Sequence, residues 1–350
     1  RQIDRLGGRS ELALVDRRPL QQLPGTLARF RVSAAYGLER LRQRLQGQFP
    51  DAFIDLNHGY RVSQAVGSVT RDISQNALAG GVYRVPFEKS DKRLRIGMID
   101  TDVDVSHAAF TNSRITRRDF LSGNQSQDYA HGTGVASLLV GDTDEFRGIA
   151  TGHRLFAASV FANYSDRGLV ATSHDLVAAM DWLIAQDVSA INMSLSGPAN
   201  RVVAAAIERL AEAKILLIAA VGNEGPFAAP RYPAAYDRVF GVTAVDRSGR
   251  LYSQAGRGTH VDYAGPGVAV RVASSQSETG FTSASGTSYA TPLITGLLLA
   301  YRGEERDNLQ ALRDRVASDL IDLGQPGRDA LYGAGMPGKG WMDDSLSLSE

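Results

Sequence analysis

From Arg93 onward, short unbroken apolar runs alternate with stretches of helical period, and this rhythm restricts the fold more than any other feature of the 350 residues. Residues 94–99, 155–161, 190–193, 215–221 and 239–245 read as strands, and 132–140, 173–185 and 201–213 as helices. Strands apolar on both sides must be covered on both sides, and strands separated by helices return in the same direction. The pattern therefore predicts an α/β fold with a mostly parallel sheet covered by helices on both faces. Ligands in such sheets sit beyond the carboxyl ends of the strands, so residues that immediately follow a strand are the first candidates for function.

The first 63 residues follow another pattern. Ala28, Phe30 and Val32 alternate with Arg29 and Arg31, as in a strand with one buried face. Leu38, Leu41, Leu45 and Phe49 recur at helical spacing, a helix end falls near residues 3–6, and 53–62 reads as a closing strand. Residues 64–90 have little periodicity and a Gly80-Gly81 pair, so they read as an exposed linker; 341–350 form a polar tail. The region 91–340 is then the large domain. Residues 1–50 hold ten Arg against four acids, a net +6 that leaves −6 for the other 300 residues. Such a division suits a small basic domain docked on a larger acidic one, with scattered surface charge as the alternative.

Composition removes several classes. With 38 basic and 38 acidic side chains and 7% aromatics, the chain lacks the electrostatic footprint of a nucleic-acid binder. No apolar run approaches the ~18 residues of a membrane span. The absence of cysteine excludes disulfide scaffolds, thiol catalysis and cysteine-based zinc sites. His58, His107, His153, His174 and His260 show no metal-ligand spacing, and no H-E-x-x-H occurs. The chain opens on Arg1 without an initiating Met, as expected where a targeting segment has been removed.

Three polar residues stand at element ends. Asp100 closes the strand that starts near Leu94, His131 opens a Gly-flanked helix start, and Ser288 lies in a small-residue turn before the apolar helix 293–300. A serine hydroxyl needs a base to become a nucleophile near neutral pH, and imidazole can take that proton and later return it. A carboxylate fixes the ring's tautomer and stabilises the imidazolium. Each residue alone reads equally well as a cap or a surface group; the combination is informative.

The motifs I-D-T-x-V-D at 99–104, H-G-T-G-V-A at 131–136 and G-T-S-Y-A-T-P at 286–292 resemble the three signatures of the subtilisin-like serine proteases, in that family's Asp–His–Ser order. The resemblance runs from about Arg93 to Gly335 and implies Asp100, His131 and Ser288 as a catalytic triad. It also implies Asn223, in A-V-G-N-E-G at 220–225, as an oxyanion donor beside the Ser288 N–H. Ser194, Leu195, Ser196 and Gly197 resemble the edge that binds the substrate main chain, where an extended peptide adds as a strand. Arg231, before Tyr232-Pro233, corresponds to the base of the primary specificity pocket. A guanidinium there implies a preference for Asp or Glu on the acyl side of the cut, with a solvent-facing Arg231 as the alternative.

The resemblance has departures. Asp102 replaces the family's usual Gly, and a second carboxylate near His131 is expected to favour the imidazolium. No cofactor is required by this chemistry. Asp142, Asp144 and Glu145 offer oxygen ligands to calcium in a loop shorter than that of many relatives, with a solvated acidic turn as the alternative. Residues 1–63 resemble, in pattern and position, the ferredoxin-like prodomains of this family, which assist folding and block the cleft. That implies a zymogen whose own N-terminal domain docks in cis, with processing within 64–90, and a permanent accessory domain as the alternative. The implied function is a serine endopeptidase acting on polypeptides and located outside the cytoplasm, secreted or periplasmic. Two rivals are a catalytically silent fold that binds peptides or proteins, and a hydrolase that cuts or joins one specific peptide.

Overall fold

The computed structural model of the chain describes residues 2–62, 83, 85, 94–121, 128–302 and 309–342. Its N-terminal part contains α1 (Gln2–Gly7), β1 (Leu12–Pro19), β2 (Thr26–Val32), α2 (Leu38–Gln48) and β3 (Gly59–Val62). The larger part continues with β4 (Arg95–Asp100), β5 (Arg114–Asp119), α3 (Ala130–Val140), β6 (Arg154–Ser159), β7 (Phe161–Tyr164), β8 (Gly168–Thr172) and α4 (Ser173–Ala185). There follow β9 (Ala190–Met193), β10 (Leu195–Ser196), α5 (Arg201–Glu212), β11 (Leu216–Ala220), β12 (Phe240–Val245) and β13 (Tyr263–Pro266). A hairpin of β14 (Val270–Ala273) and β15 (Phe281–Ala284) leads to α6 (Thr287–Arg302) and α7 (Leu309–Ala317).

Seven strands in the order β13-β12-β11-β9-β4-β6-β5 form one sheet in which every neighbouring pair is parallel. In β4, Ile96 and Met98 join the core under α3 and α6, whereas Ile99 joins the core under α4 and α5. Two-sided burial explains why these strands read as unbroken apolar runs, and each fully buried aliphatic contributes about 1.5–3 kcal/mol. The chain fills β5 and β6 on one side of β4 and β9 onward on the other. The switch in strand order thus lies between β4 and β9, where Asp100 and Ser194 leave the sheet.

The apolar run 155–161 is two strands, because the chain leaves the parallel sheet after Ser159 and re-enters pairing at Phe161 in a second, antiparallel sheet. The linker expected at 64–90 lies largely outside the described residues. Its Tyr83, however, is buried, bridges to Met342 and packs on Gly338, so that position is core rather than exposed chain. Of the expected tail, Trp341 stacks on Tyr301 at 4.4 Å, while 343–350 lie outside the described residues.

The N-terminal part has a small core of Leu6, Leu12, Leu41, Leu45 and Phe49 beneath the antiparallel β1–β2 pair. Among the described residues it holds two strands of its own, short of a ferredoxin-like sheet of four. The expected closing strand 53–62 is confined to β3, and β3 does not pair with β1 or β2. It lies between β10 and β8 in the antiparallel sheet β10-β3-β8-β7. The physical reason is Tyr60: its side chain is fully buried there, over Gly197, and its hydroxyl donates to the Pro198 carbonyl at 3.0 Å.

The remaining contacts of the N-terminal part fall on helix ends and on α4. The Asp181 carboxylate accepts the N–H groups of Gln21, Gln22 and Leu23, at 2.8 Å for the latter two. Asn57 Oδ1 accepts the His174 N–H at the start of α4, and Asp55 Oδ2 accepts the Arg201 N–H at the start of α5. Carboxylates and amides there satisfy donors that have no partner inside the helix and meet the positive end of its dipole. His174 also lies 3.2 Å from Asp16 through Nε2.

Candidate active site

The carboxyl end of β4 delivers Asp100 to the first turn of α3. Its Oδ1 lies 2.6 Å from His131 Nδ1, and both side chains are almost fully buried. A carboxylate can only accept here, so the Nδ1 proton is fixed and Nε2 carries the lone pair of a base. Nε2 is buried and makes no hydrogen bond to the described residues. Thr101, the residue after Asp100, holds the helix in register, because its hydroxyl accepts the Gly132 N–H at 2.7 Å. Gly132 permits this approach; a Cβ there would overlap the Thr101 carbonyl.

Ser288 is the second residue of α6, so the helix starts at Thr287 and not at the apolar run from Leu293. The nucleophile candidate therefore stands in a helical first turn. Its hydroxyl donates to the Ser194 carbonyl at 3.1 Å, on the strand end beside Asp100. The Tyr289 ring packs against the His131 ring with centroids 5.5 Å apart, so the first turn of α6 adjoins α3, while the Ser288 hydroxyl is bonded to Ser194 and His131 Nε2 accepts no hydrogen bond from it.

Asn223 follows β11. Its Oδ1 accepts both the N–H (3.2 Å) and the hydroxyl (3.0 Å) of Thr287, which fixes the amide's orientation. Nδ2 is buried and makes no hydrogen bond to the described residues, so a donor is held ready beside the first turn of α6. Gly222 supports the turn with φ +95°, a conformation open to glycine. We expect Asn223→Leu to lower kcat by about 10²–10³ with KM little changed, as for loss of one oxyanion donor. Steady-state kinetics on a chromogenic peptide check this, and a change confined to KM would refute it.

Leu195 and Ser196 pair antiparallel with Val62 and Arg61, so they form one side of a groove that β3 fills. The Gly197 N–H and carbonyl both bond to Tyr232, and its missing side chain makes room for the Tyr60 ring of β3. Arg231 is not a free cation. Its Nε lies 3.1 Å from Glu224 Oε1, which also accepts the Ser196 hydroxyl at 3.0 Å.

Asp102 has partners of its own. Its Oδ2 pairs with Arg117 at 3.0 Å, its Oδ1 accepts the Val103 N–H, and Arg117 supplies the compensating charge. Asp142, Asp144 and Glu145 do not come together as a cluster: among the described residues no group of three or more acids or histidines is close enough to hold a metal. Asp142 instead bridges to Arg147 in a tight turn.

Sequence reasoning missed Thr101 and Thr287, the two residues that orient the acid–base pair and the amide. A Thr directly after the Asp, and one directly before the Ser, were the available signals.

The parallel α/β fold thus pairs Asp100 with His131 at its switch point and sets the Ser288 hydroxyl against the neighbouring strand end, an arrangement of the kind found in hydrolases. The profile of the subtilase family of peptidases matches residues 91–335, and the chain belongs to that family of serine endopeptidases. Subtilisin DY of Bacillus licheniformis is 29% identical over 273 residues, which cover 73% of this chain and 95% of the relative. The thermostable alkaline protease of Halalkalibacterium halodurans is 31% identical, over 69% of this chain and 65% of its own. The minor extracellular protease Epr of Bacillus subtilis is 28% identical over 70% of this chain, but this chain spans only 38% of Epr. Among solved structures, the prenylagaramide maturation protease PagA superposes with a TM-score of 0.56 at 25% identity, covering 67% of this chain and 85% of PagA. No described helix is long and apolar enough to cross a membrane.

Proposed function

We propose that this serine protease cuts polypeptide chains through Asp100, His131 and Ser288, and that it is made as a self-processing zymogen. The observation that carries the reading is His131, whose Nδ1 is held by Asp100 at 2.6 Å while the buried Nε2 is left as an acceptor. His131 takes the Ser288 hydroxyl proton as Oγ attacks the peptide carbonyl. The Asn223 amide and the Ser288 N–H receive the oxyanion. Collapse expels the amine, which takes the proton from His131, and water then hydrolyses the acyl-enzyme. None of these steps calls on a cofactor. The test is covalent: a fluorophosphonate is expected to label Ser288 of the incubated wild-type chain, and absence of label would favour a silent binding fold.

Self-processing is supported by β3. The strand runs from Tyr60, beside Gly197, to Val62, opposite Leu195, and so heads toward Ser194 and the Ser288 hydroxyl. Peptide bonds soon after Val62 are the first that such a strand would present. The processing region 64–90 falls largely outside the described residues, and intact-mass measurement locates the cut. While β3 fills the groove, the N-terminal part acts as an inhibitor in cis, fastened by Asp181, Asp55 and Asn57. One relative, Epr, is named as extracellular, which supports a secreted or periplasmic enzyme.

Arg231 is proposed to read an acidic side chain by exchanging Glu224 for the substrate carboxylate. The Arg231–Glu224 pair is part exposed, at 35% and 30%, so its disruption costs at most about 1 kcal/mol. We expect a peptide-library profile to favour Asp or Glu before the cut, and Arg231→Ala to lose the preference. A large apolar preference unchanged in the variant would end the idea. The likeness to PagA favours a second reading, a protease dedicated to maturing one peptide, which product analysis separates from broad proteolysis.

A further inference from the structure

We propose that Asn192 and Ser194 are positioning residues for the nucleophile, replacing a hydrogen bond that Pro292 removes from the first turn of α6. The inference rests on the reading of Ser288 as the nucleophile.

A regular helix would satisfy the Ser288 carbonyl with the N–H of residue 292. That residue is proline, which lacks the N–H and crowds the carbonyl four residues earlier. Ser194 Oγ donates to the Ser288 carbonyl at 2.8 Å. A carbonyl can only accept, so the single Ser194 hydroxyl proton is committed to it. Ser194 Oγ must then accept from its other neighbour, and Asn192 Nδ2 donates to it at 3.0 Å. This fixes the Asn192 amide, whose Oδ1 lies 3.1 Å from the Thr295 hydroxyl on the same helix. In return, the Ser194 carbonyl accepts the Ser288 hydroxyl at 3.1 Å.

Asn192, Ser194, Ser288 and Thr295 are each fully buried, so no bulk water can substitute for a lost partner. The circuit ties the end of β9 to α6 at two points, Ser288 and Thr295, one turn either side of the proline. It thereby sets where the Ser288 N–H and hydroxyl stand relative to His131 and Asn223. Proline at 292 makes the placement depend on Ser194 rather than on the helix itself.

The test is a double-mutant cycle. Ser194→Ala is expected to lower kcat and the rate of fluorophosphonate labelling about tenfold each, with KM within about twofold. Asn192→Leu, which cannot donate to Ser194 Oγ, is expected to match Ser194→Ala rather than the wild type. In Pro292→Ala the restored N–H can serve the Ser288 carbonyl, so Ser194→Ala should then cost less than about threefold. Equal losses in both backgrounds overturn the proposal. Denaturant unfolding of the same cycle in Ser288→Ala, which keeps the carbonyl but cannot react, checks the bond independently of catalysis. Additivity there also overturns it. A wild-type chain that takes no label refutes the nucleophile itself and the positioning role with it.

Discussion

In the Ser288→Ala chain, peptide hydrolysis is expected to fall about 10⁶-fold, and the protein is expected to stay at full length under conditions where the wild type would lose its N-terminal part. The size of the loss follows from the roles of the two partners. The hydroxyl donates to the Ser194 carbonyl, and the ring of its neighbour Tyr289 packs on His131. Removing the nucleophile leaves a base with nothing to activate, and removing nucleophile or base alone costs about as much as removing the whole set. The substitution takes one oxygen from a buried position and leaves the bond from the Ser194 hydroxyl to the carbonyl of residue 288 in place, so folding is expected to be retained. Mass spectrometry of both chains after equal incubation reads the result. Equal fragmentation in the two would show that another protease makes the cut.

Asp100→Asn lowers kcat by about 10⁴ with KM close to the wild-type value. Asp100 is inaccessible to solvent, and its Oδ1 accepts from both His131 Nδ1 and the Thr101 N–H at 2.7 Å. An amide oxygen at the Oδ1 position can still accept both donors but carries no full negative charge, and an amide turned the other way points its NH₂ at His131 Nδ1 and drives the proton to Nε2, the atom that must be basic. The imidazolium also loses the negative charge that stabilises it as the proton moves. Thermal melting should show a folded protein, which separates this effect from collapse of the site. A tenfold loss or less would mean that the carboxylate only packs.

The large domain was legible because its chemistry is written in short contiguous runs. The strands β4, β9, β11 and β12 are buried on both faces, so apolarity alone marks them. Asp100, His131 and Asn223 follow or open such elements, where the fold leaves side chains pointing to one rim. What escaped were effects that depend on a partner distant in sequence. Asp102 looked like a neighbour of His131 until Arg117, fifteen residues on, took its carboxylate. Arg231 looked like a bare cation until Glu224 turned toward it. The charge division hinted at a docked N-terminal part, yet the contacts run through Asp55, Asn57 and Asp181 at individual N–H groups. Composition cannot encode that. The strand 53–62 was misplaced for a similar reason: its alternation is real near Tyr60, but the surface that buries Tyr60 belongs to Gly197 and Pro198.

If the proposed self-processing removes the N-terminal part, the insertion of β3 between β8 and β10 bears on the enzyme that is left. Those two strands flank β3 and are separated by its width. Departure opens a slot with unmet main-chain donors and acceptors on both walls. Any extended segment can close it, irrespective of side chains, and a folded globule cannot enter. The liberated protease would thus discriminate first by the conformation of its target, consuming loosely folded chains and sparing rigid ones, before any pocket is consulted.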